Sequence, residues 1–282
     1  RPVDVLHSEL DCTLEPTALA SPPGADARFA GRRGNAPQPA VRLGLRRIGS
    51  LGEAGAQRIV EARALAPFTG TEDLALRAGL DARDMGALAA ADALASLSGH
   101  RRQQVWDATA TRGMGGRAPA LLQGVPIHEQ ALELPAAPEG EEIVGDYASL
   151  GFTLRRHPLA LLRPRLARMH LQSAAQLRDL KSGQTVRACG IVMGRQRPQT
   201  ANNTMFVTLE DETGNINVIV WERVAEEWRA PLLKAKLLAV QGTWQRDTDS
   251  GGKVRHILAT GFKDLTPLLG RLAENSKSRD FH

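Results

Sequence analysis

The sequence predicts an α+β chain: an alanine-rich helical half, a linker, and a small closed barrel of five strands. Three observations carry that reading. Thr204–Trp221 (TMFVTLEDETGNINVIVW) holds two alternating, β-branched-rich runs around a short polar loop, Asp211–Asn215, that contains Gly214. Residues 41–110 are helical in pattern and are broken at Gly49, Gly52, Pro67, Gly79 and Gly99. Between these halves, residues 112–142 carry Gly113, Gly115, Gly116, several prolines and then an acidic patch, the composition of an interdomain linker.

Taken in order, residues 1–16 contain a short strand-like run ending near Cys12, and residues 17–40, rich in Ala, Pro, Gly and Arg, read as a long loop. Helices follow over 41–111, then a linker over 112–145 and a helical connector around His157-Pro158 over 146–182. The barrel is expected over 183–268 and a polar tail over 269–282. Its strands are placed at 185–195, 204–210, 215–221, 236–246 and 254–264, with a helix at 222–233 carrying Val224, Trp228 and Leu232 at i, i+4, i+8. Five short strands with a helix between the third and fourth make the barrel of oligonucleotide-binding (OB) type.

Composition narrows the partners. A chain of 282 residues has room for two domains, and a net charge of +5 with a pI near 9.7 suits a phosphate-rich partner. Cys12 and Cys189 stand far apart, which argues against a disulfide scaffold and a cysteine-ligated zinc, and fits a reducing compartment. No apolar run approaches the ~20 residues needed to cross a bilayer. The opening Arg1-Pro2-Val3-Asp4 has no signal-peptide pattern and reads as a piece of a longer protein.

Leu43–Ala64 (LGLRRIGSLGEAGAQRIVEARA) has the layout of a helix-hairpin-helix: a short helix to Ile48, a turn through Gly49, Ser50, Leu51 and Gly52, and a second helix from Glu53. Glycine admits a phosphate close to the backbone, and the open amides at the second helix's start donate to it with the helix dipole in favour. Arg46, Arg47 and Arg58 are the nearby cations, and Ser50 stands where a first glycine is usual. The alternative is a structural hairpin that touches nothing. A second, degenerate unit spans 78–97, where Asp81 or Asp84 is placed to cap a helix and support is the expected role.

On the barrel, an inward Met205, Val207 and Leu209 leaves Phe206, Asn217 and Trp221 outward, with Phe206 and Trp221 placed to stack bases. Arg195, Arg197, Arg246, Lys253 and Arg255 are expected to edge that groove with charge. The competing reading is a barrel used for protein contacts alone. No catalytic residue and no metal site emerges. Asp247-Thr248-Asp249 lies in a glycine-flanked loop without a third carboxylate, the histidines lack ligand spacing, and neither a nucleophile elbow nor a P-loop is present.

With hairpin, linker and barrel in this order, the chain resembles the C-terminal part of the bacterial error-prone branch of the C-family (polymerase III α-type) DNA polymerases. The stretches that carry the resemblance are Arg1–Glu15, Val41–Leu51, Pro67–Leu80, Asp146–Leu159, Met205–Trp221 and the terminal Ser278–His282. The resemblance implies a cytoplasmic polymerase for translesion synthesis and damage-induced mutagenesis. Its PHP domain and palm aspartates, with their Mg2+, would lie upstream of Arg1, leaving no cofactor in this stretch. Residues 1–16 would be the end of the fingers, with Leu10 where relatives carry an aromatic. The partners implied are duplex DNA at the hairpin, single-stranded template at the barrel, and an inactive Y-family-like accessory protein that contacts the sliding clamp. Gln130–Leu134 has the wrong order for a clamp-binding peptide. A stand-alone DNA-binding module and a protein-interaction platform remain open beside this.

Overall fold

Hydrophobic spacing changes from helical to alternating between the two halves of the chain, and the architecture changes with it. The computed structural model describes residues 1–16, 38–110, 133–198, 204–246, 254–275 and 279–281. It divides into two units, Arg1–Leu154 and Arg155–His282, each with its own core.

In the first unit, strand β1 (Thr13–Glu15) pairs antiparallel with β2 (Ala40–Arg42). A 3-10 turn at Leu45–Arg47 leads into helices α1 (Glu53–Leu65), α2 (Thr71–Arg77), α3 (Ala82–Ala90), α4 (Ala95–Ser98), α5 (Arg101–Ala110) and α6 (Glu139–Leu150). Helix α1 buries Gly55, Ala56, Ile59 and Ala62, and Gly55 leaves room for the Asp84 side chain of α3, whose Oδ2 lies 3.1 Å from where a Cβ would sit. The helix stops before Pro67, whose ring forces Ala66 into extended backbone. Asp81 caps α3 as expected, accepting from the Arg83 and Asp84 amides at 2.8 Å each. Gly79, at φ +57°, turns the chain between α2 and α3 in the left-handed region.

Three expectations change here. Residues 1–16 are not a region apart: Val3 and Val5 are buried in one core with Leu45, Ile59 and Leu88. Arg63 donates to the Val5 and Ser8 carbonyls at 3.0 and 2.8 Å, pinning that stretch to α1. Val41 and Arg42 are strand, not helix. Helix α6 begins inside the stretch expected as linker, because its partner lies far off in sequence. Arg101 of α5 donates to the Glu142 carbonyl at 2.7 Å and pairs with the Glu142 and Asp146 carboxylates, all three residues being buried. Gly145 makes room for this, since a Cβ there would overlap the Arg101 guanidinium.

In the second unit, α7 (Pro158–Arg168) is capped by His157, whose Nδ1 accepts from the Leu159 amide at 3.1 Å. Helix α8 (Ala174–Arg178) opens with a capping box between Ser173 and Gln176. The barrel strands are β3 (Thr185–Gln196), β4 (Met205–Asp211), β5 (Gly214–Val220), β6 (Leu237–Arg246) and β7 (Arg255–Asp264). Their order is β4-β5-β7-β6-β3, closing back onto β4, with β5 and β7 parallel and the other pairs antiparallel. Strand β3 closes the barrel by serving two neighbours, β6 with Thr185–Ile191 and β4 with Ile191–Gln196. Gly190 sits at the crossing, where a Cβ would lie 2.8 Å from the Glu210 carbonyl oxygen.

The helix expected over 222–233 is two helices, α9 (Glu222–Glu227) and α10 (Arg229–Lys234), joined at Trp228. Pro231 has no N–H to donate to the Glu227 carbonyl, so the ladder breaks there. The polar tail is also corrected. After a 3-10 turn at Thr266–Leu269 and α11 (Leu272–Asn275), β8 (Arg279–Phe281) adds in parallel to Gly194–Gln196 of β3.

Candidate nucleic-acid interface

Strands β4 and β5 place Phe206 opposite Ile219 and Thr208 opposite Asn217, with Met205, Val207 and Leu209 buried beneath. That is the expected parity. Phe206 is 37% exposed and Trp221, the residue before α9, is 51% exposed, so both ring systems reach solvent; Asn217 is exposed beside them. Sequence reading missed two neighbours on β3: Gln196, paired with Phe206, and Met193, both exposed. Their signal was masked by the continuous apolar run that precedes them on the strand. Arg197 follows β3, exposed, with its guanidinium 3.6 Å from Glu222. Arg255 begins β7, half-buried and opposite Arg246. Lys253, like the 247–249 carboxylates, lies outside the described residues.

Two of the expected groove cations face elsewhere. Arg195 is buried, 6% exposed. A register shift between Val192 and Gly194 puts it opposite Val207, on the inward row. Its Nε donates to the Leu232 carbonyl at 2.7 Å and its Nη2 to the Ala235 carbonyl at 2.6 Å. These are open carbonyls at the C-terminal end of α10, where the helix dipole favours a cation. Arg246 is folded back onto the Arg178 carbonyl, with its Nε enclosed. Neither edges the groove.

The hairpin of the first unit has the expected turn but a different use of its arginines. Arg46 lies 3.1 Å from Asp11 and also pairs with Glu53, and these carboxylates raise its pKa further. Arg47 stacks over the Phe152 ring at 5.6 Å. Arg58 donates to the Ala78 and Gly79 carbonyls at 2.7 and 3.1 Å and lies 3.6 Å from Asp84. The Gly49 amide is also taken, by the Ser149 carbonyl at 3.1 Å. Ser50 and Gly52 are exposed, and nothing lies within 4 Å of a Cβ placed on Gly52. At Gly52, Glu53 and Ala54 the amides opening α1 have no acceptor among the described residues. The open groups at the turn are therefore backbone amides, and the arginines brace it.

No group of three or more His, Cys, Asp or Glu among the described residues is placed to hold a metal. Burial pushes the Cys189 thiol up to about 12, which leaves it an inert packing group. Burial also lowers His157, in keeping with its neutral Nδ1 acting as a cap acceptor. Among the described residues no helix is long and apolar enough to cross a membrane.

Comparison with known proteins agrees with both units. A helix-hairpin-helix motif family matches residues 1–104, and an OB-fold nucleic acid binding domain family matches residues 174–265. Over its whole length the chain is similar to error-prone DNA polymerases: 50% identical to that of Ralstonia pickettii, 50% to that of Azoarcus sp., and 44% to that of Pseudomonas paraeruginosa. The chain covers 25%, 24% and 25% of those proteins respectively, matching their C-terminal part.

Proposed function

We propose that this chain is the DNA-holding C-terminal region of an error-prone DNA polymerase that acts in translesion synthesis and damage-induced mutagenesis. The hairpin grips duplex DNA through the open amides at the start of α1, without sequence preference. The β4–β5 face guides single-stranded template, with bases on Phe206 and Trp221, hydrogen bonds from Asn217, and phosphates near Arg197, Arg255 and Lys253. The observation that carries this reading is the outward row of Phe206, Asn217 and Trp221 on an OB barrel, in a chain half identical to error-prone polymerases.

Polymerisation itself, with its Mg2+, belongs in this reading to the part of an error-prone polymerase that the chain, covering 25% of the Ralstonia pickettii protein, does not span. The Y-family-like accessory protein, the sliding clamp it contacts, and a cytoplasmic location belong to the same reading.

Fluorescence anisotropy of labelled oligo-dT and of a labelled duplex, each titrated with the whole chain across a salt series, tests it. Both should bind, with affinity falling steeply as salt rises. A chain that binds neither would be a protein-docking module.

A further inference from the structure

Away from Phe206 and Trp221, the barrel carries a second concavity. Strand β6 is separated from β4 and β5 by β3 on one side and β7 on the other. Register puts Arg187, Gln241 and Gly261 in one row across β3, β6 and β7, and Cys189, Ala239 and Lys263 in the next outward row. The middle of this face is built from small residues, Ala239 and Gly261, which leaves a half-open cleft of about 210 Å³. Met169 and Leu171 wall one side and the Trp228 indole the other, its ring edge 3.5 Å from where a Cβ on Gly261 would sit.

Chemistry at the cleft is unbalanced. Arg187 and Lys263 both line it and are exposed, and neither side chain has a partner among the described residues. That contrasts with Arg46, Arg58, Arg63, Arg101, Arg163 and Arg195, each bound to carbonyls or carboxylates. The Gln241 amide is also unpaired among the described residues, and the Trp228 Nε1–H is enclosed without an acceptor. Among the described residues no carboxylate lines the cleft.

We propose that this cleft is a second nucleotide subsite, taking one base with its phosphate from a single strand that runs round the barrel beyond the β4–β5 face. The proposal rests on the barrel binding nucleic acid. A volume of about 210 Å³ is below that of pockets for larger organic ligands and suits a single ring system. Trp228, Met169 and Leu171 supply the apolar walls a base needs, and Gln241 can read a base edge. Arg187 and Lys263 then meet the phosphates on either side. An acidic peptide would satisfy the two cations but make no use of the indole wall or the Gln241 amide.

The test is ultraviolet cross-linking of the whole chain to oligo-dT with a single 5-iodouracil moved along it, at saturating oligonucleotide, with adducts mapped by mass spectrometry. Adducts are expected on Trp228 or Met169 as well as on Phe206 or Trp221. In the Arg187→Glu/Lys263→Glu chain, confirmed folded by circular dichroism, the Trp228 and Met169 adducts should fall about tenfold while those on Phe206 and Trp221 persist. Gln241→Ala should lower the same adducts without reversing any charge. Adducts confined to Phe206 and Trp221 would overturn this subsite and leave the proposed function standing. Cleft adducts indifferent to charge reversal, or a Glu-rich peptide that binds the cleft more tightly than oligo-dT, would overturn it too. A chain that cross-links nowhere would sink both.

Discussion

The hairpin of the first unit and the β4–β5 face of the barrel both combine exposed backbone or rings with nearby arginines, and they use those arginines differently. At the hairpin, Arg46, Arg47 and Arg58 are turned onto Asp11, Glu53, Phe152, Asp84 and the 78–79 carbonyls, so the open groups are amides. On the barrel the open groups are side chains, Phe206, Asn217 and Trp221, with Arg197 exposed beside Glu222, while Arg195 is buried as a brace. A cation near a binding motif is therefore no guide to phosphate contact until its own partners are known. Amide sites read backbone and should be indifferent to sequence and to side-chain truncation; ring sites should be sensitive to loss of a single side chain.

The largest effect expected is on folding. Arg195→Ala strips the donors from the Leu232 and Ala235 carbonyls and empties a buried site, so the second unit should lose about 3 kcal/mol in urea unfolding. Arg197→Ala should stay within about 0.5 kcal/mol of the parent in the same assay. It should instead reduce the salt slope of oligo-dT binding by about one. Equal stabilities for these two variants would remove the distinction between brace and groove cation.

Next in size is Phe206→Ala, expected to weaken oligo-dT binding by about 1–3 kcal/mol with an unchanged salt slope, because a stacked ring releases no counterion. Anisotropy across a salt series separates the two quantities. A loss that came with a flattened slope would place phosphates, not bases, on this face.

At the hairpin, Gly52→Val should weaken duplex binding by about 1 kcal/mol through blocked approach to the amides. Folding should be intact, since the site is open and its φ of −69° suits valine. Arg46→Ala should change duplex affinity less than Gly52→Val does. The reverse order would return the phosphate contact to the arginine.

The smallest effects are in acid, where the two units should weaken in different windows. His157 has a lowered pKa when folded, so its contribution is full above the ordinary value of 6.5 and declines as pH falls below it. In the first unit, hydrogen bonding from Arg42 holds Glu15 at about 2, so its contribution is full above 4.5 and is lost as pH falls toward 2. Hydrogen exchange read peptide by peptide from pH 7 to 3 should show the second unit loosening first. His157→Gln should remove its early step, and simultaneous loosening would break the assignment.

Much of this was legible in sequence because it is local. Alternation in Thr204–Trp221 sets which residues face in, and β4 and β5 pair with Phe206 outward as that parity requires. Asp81 caps α3 because an aspartate ahead of a helical run reaches amides two and three residues on. The α+β class and the glycine turn before α1 follow from periodicity and from Gly49 and Gly52. Even the break at Trp228 was present in the chain as Pro231, although the apolar spacing of Val224, Trp228 and Leu232 hid it.

What only the tertiary structure decided depends on partners distant in the chain. Arg195 turns inward because β3 shifts register while changing neighbours, and its acceptors lie 37 and 40 residues away. Helix α6 reads as linker until Arg101, 41 residues before Glu142, supplies the buried charge its acidic face needs. The terminal residues look like a polar tail until β3 offers Gly194–Gln196 as an open edge. Backbone periodicity reports which face of an element is buried; it carries no record of which distant carbonyl, carboxylate or strand edge will meet it.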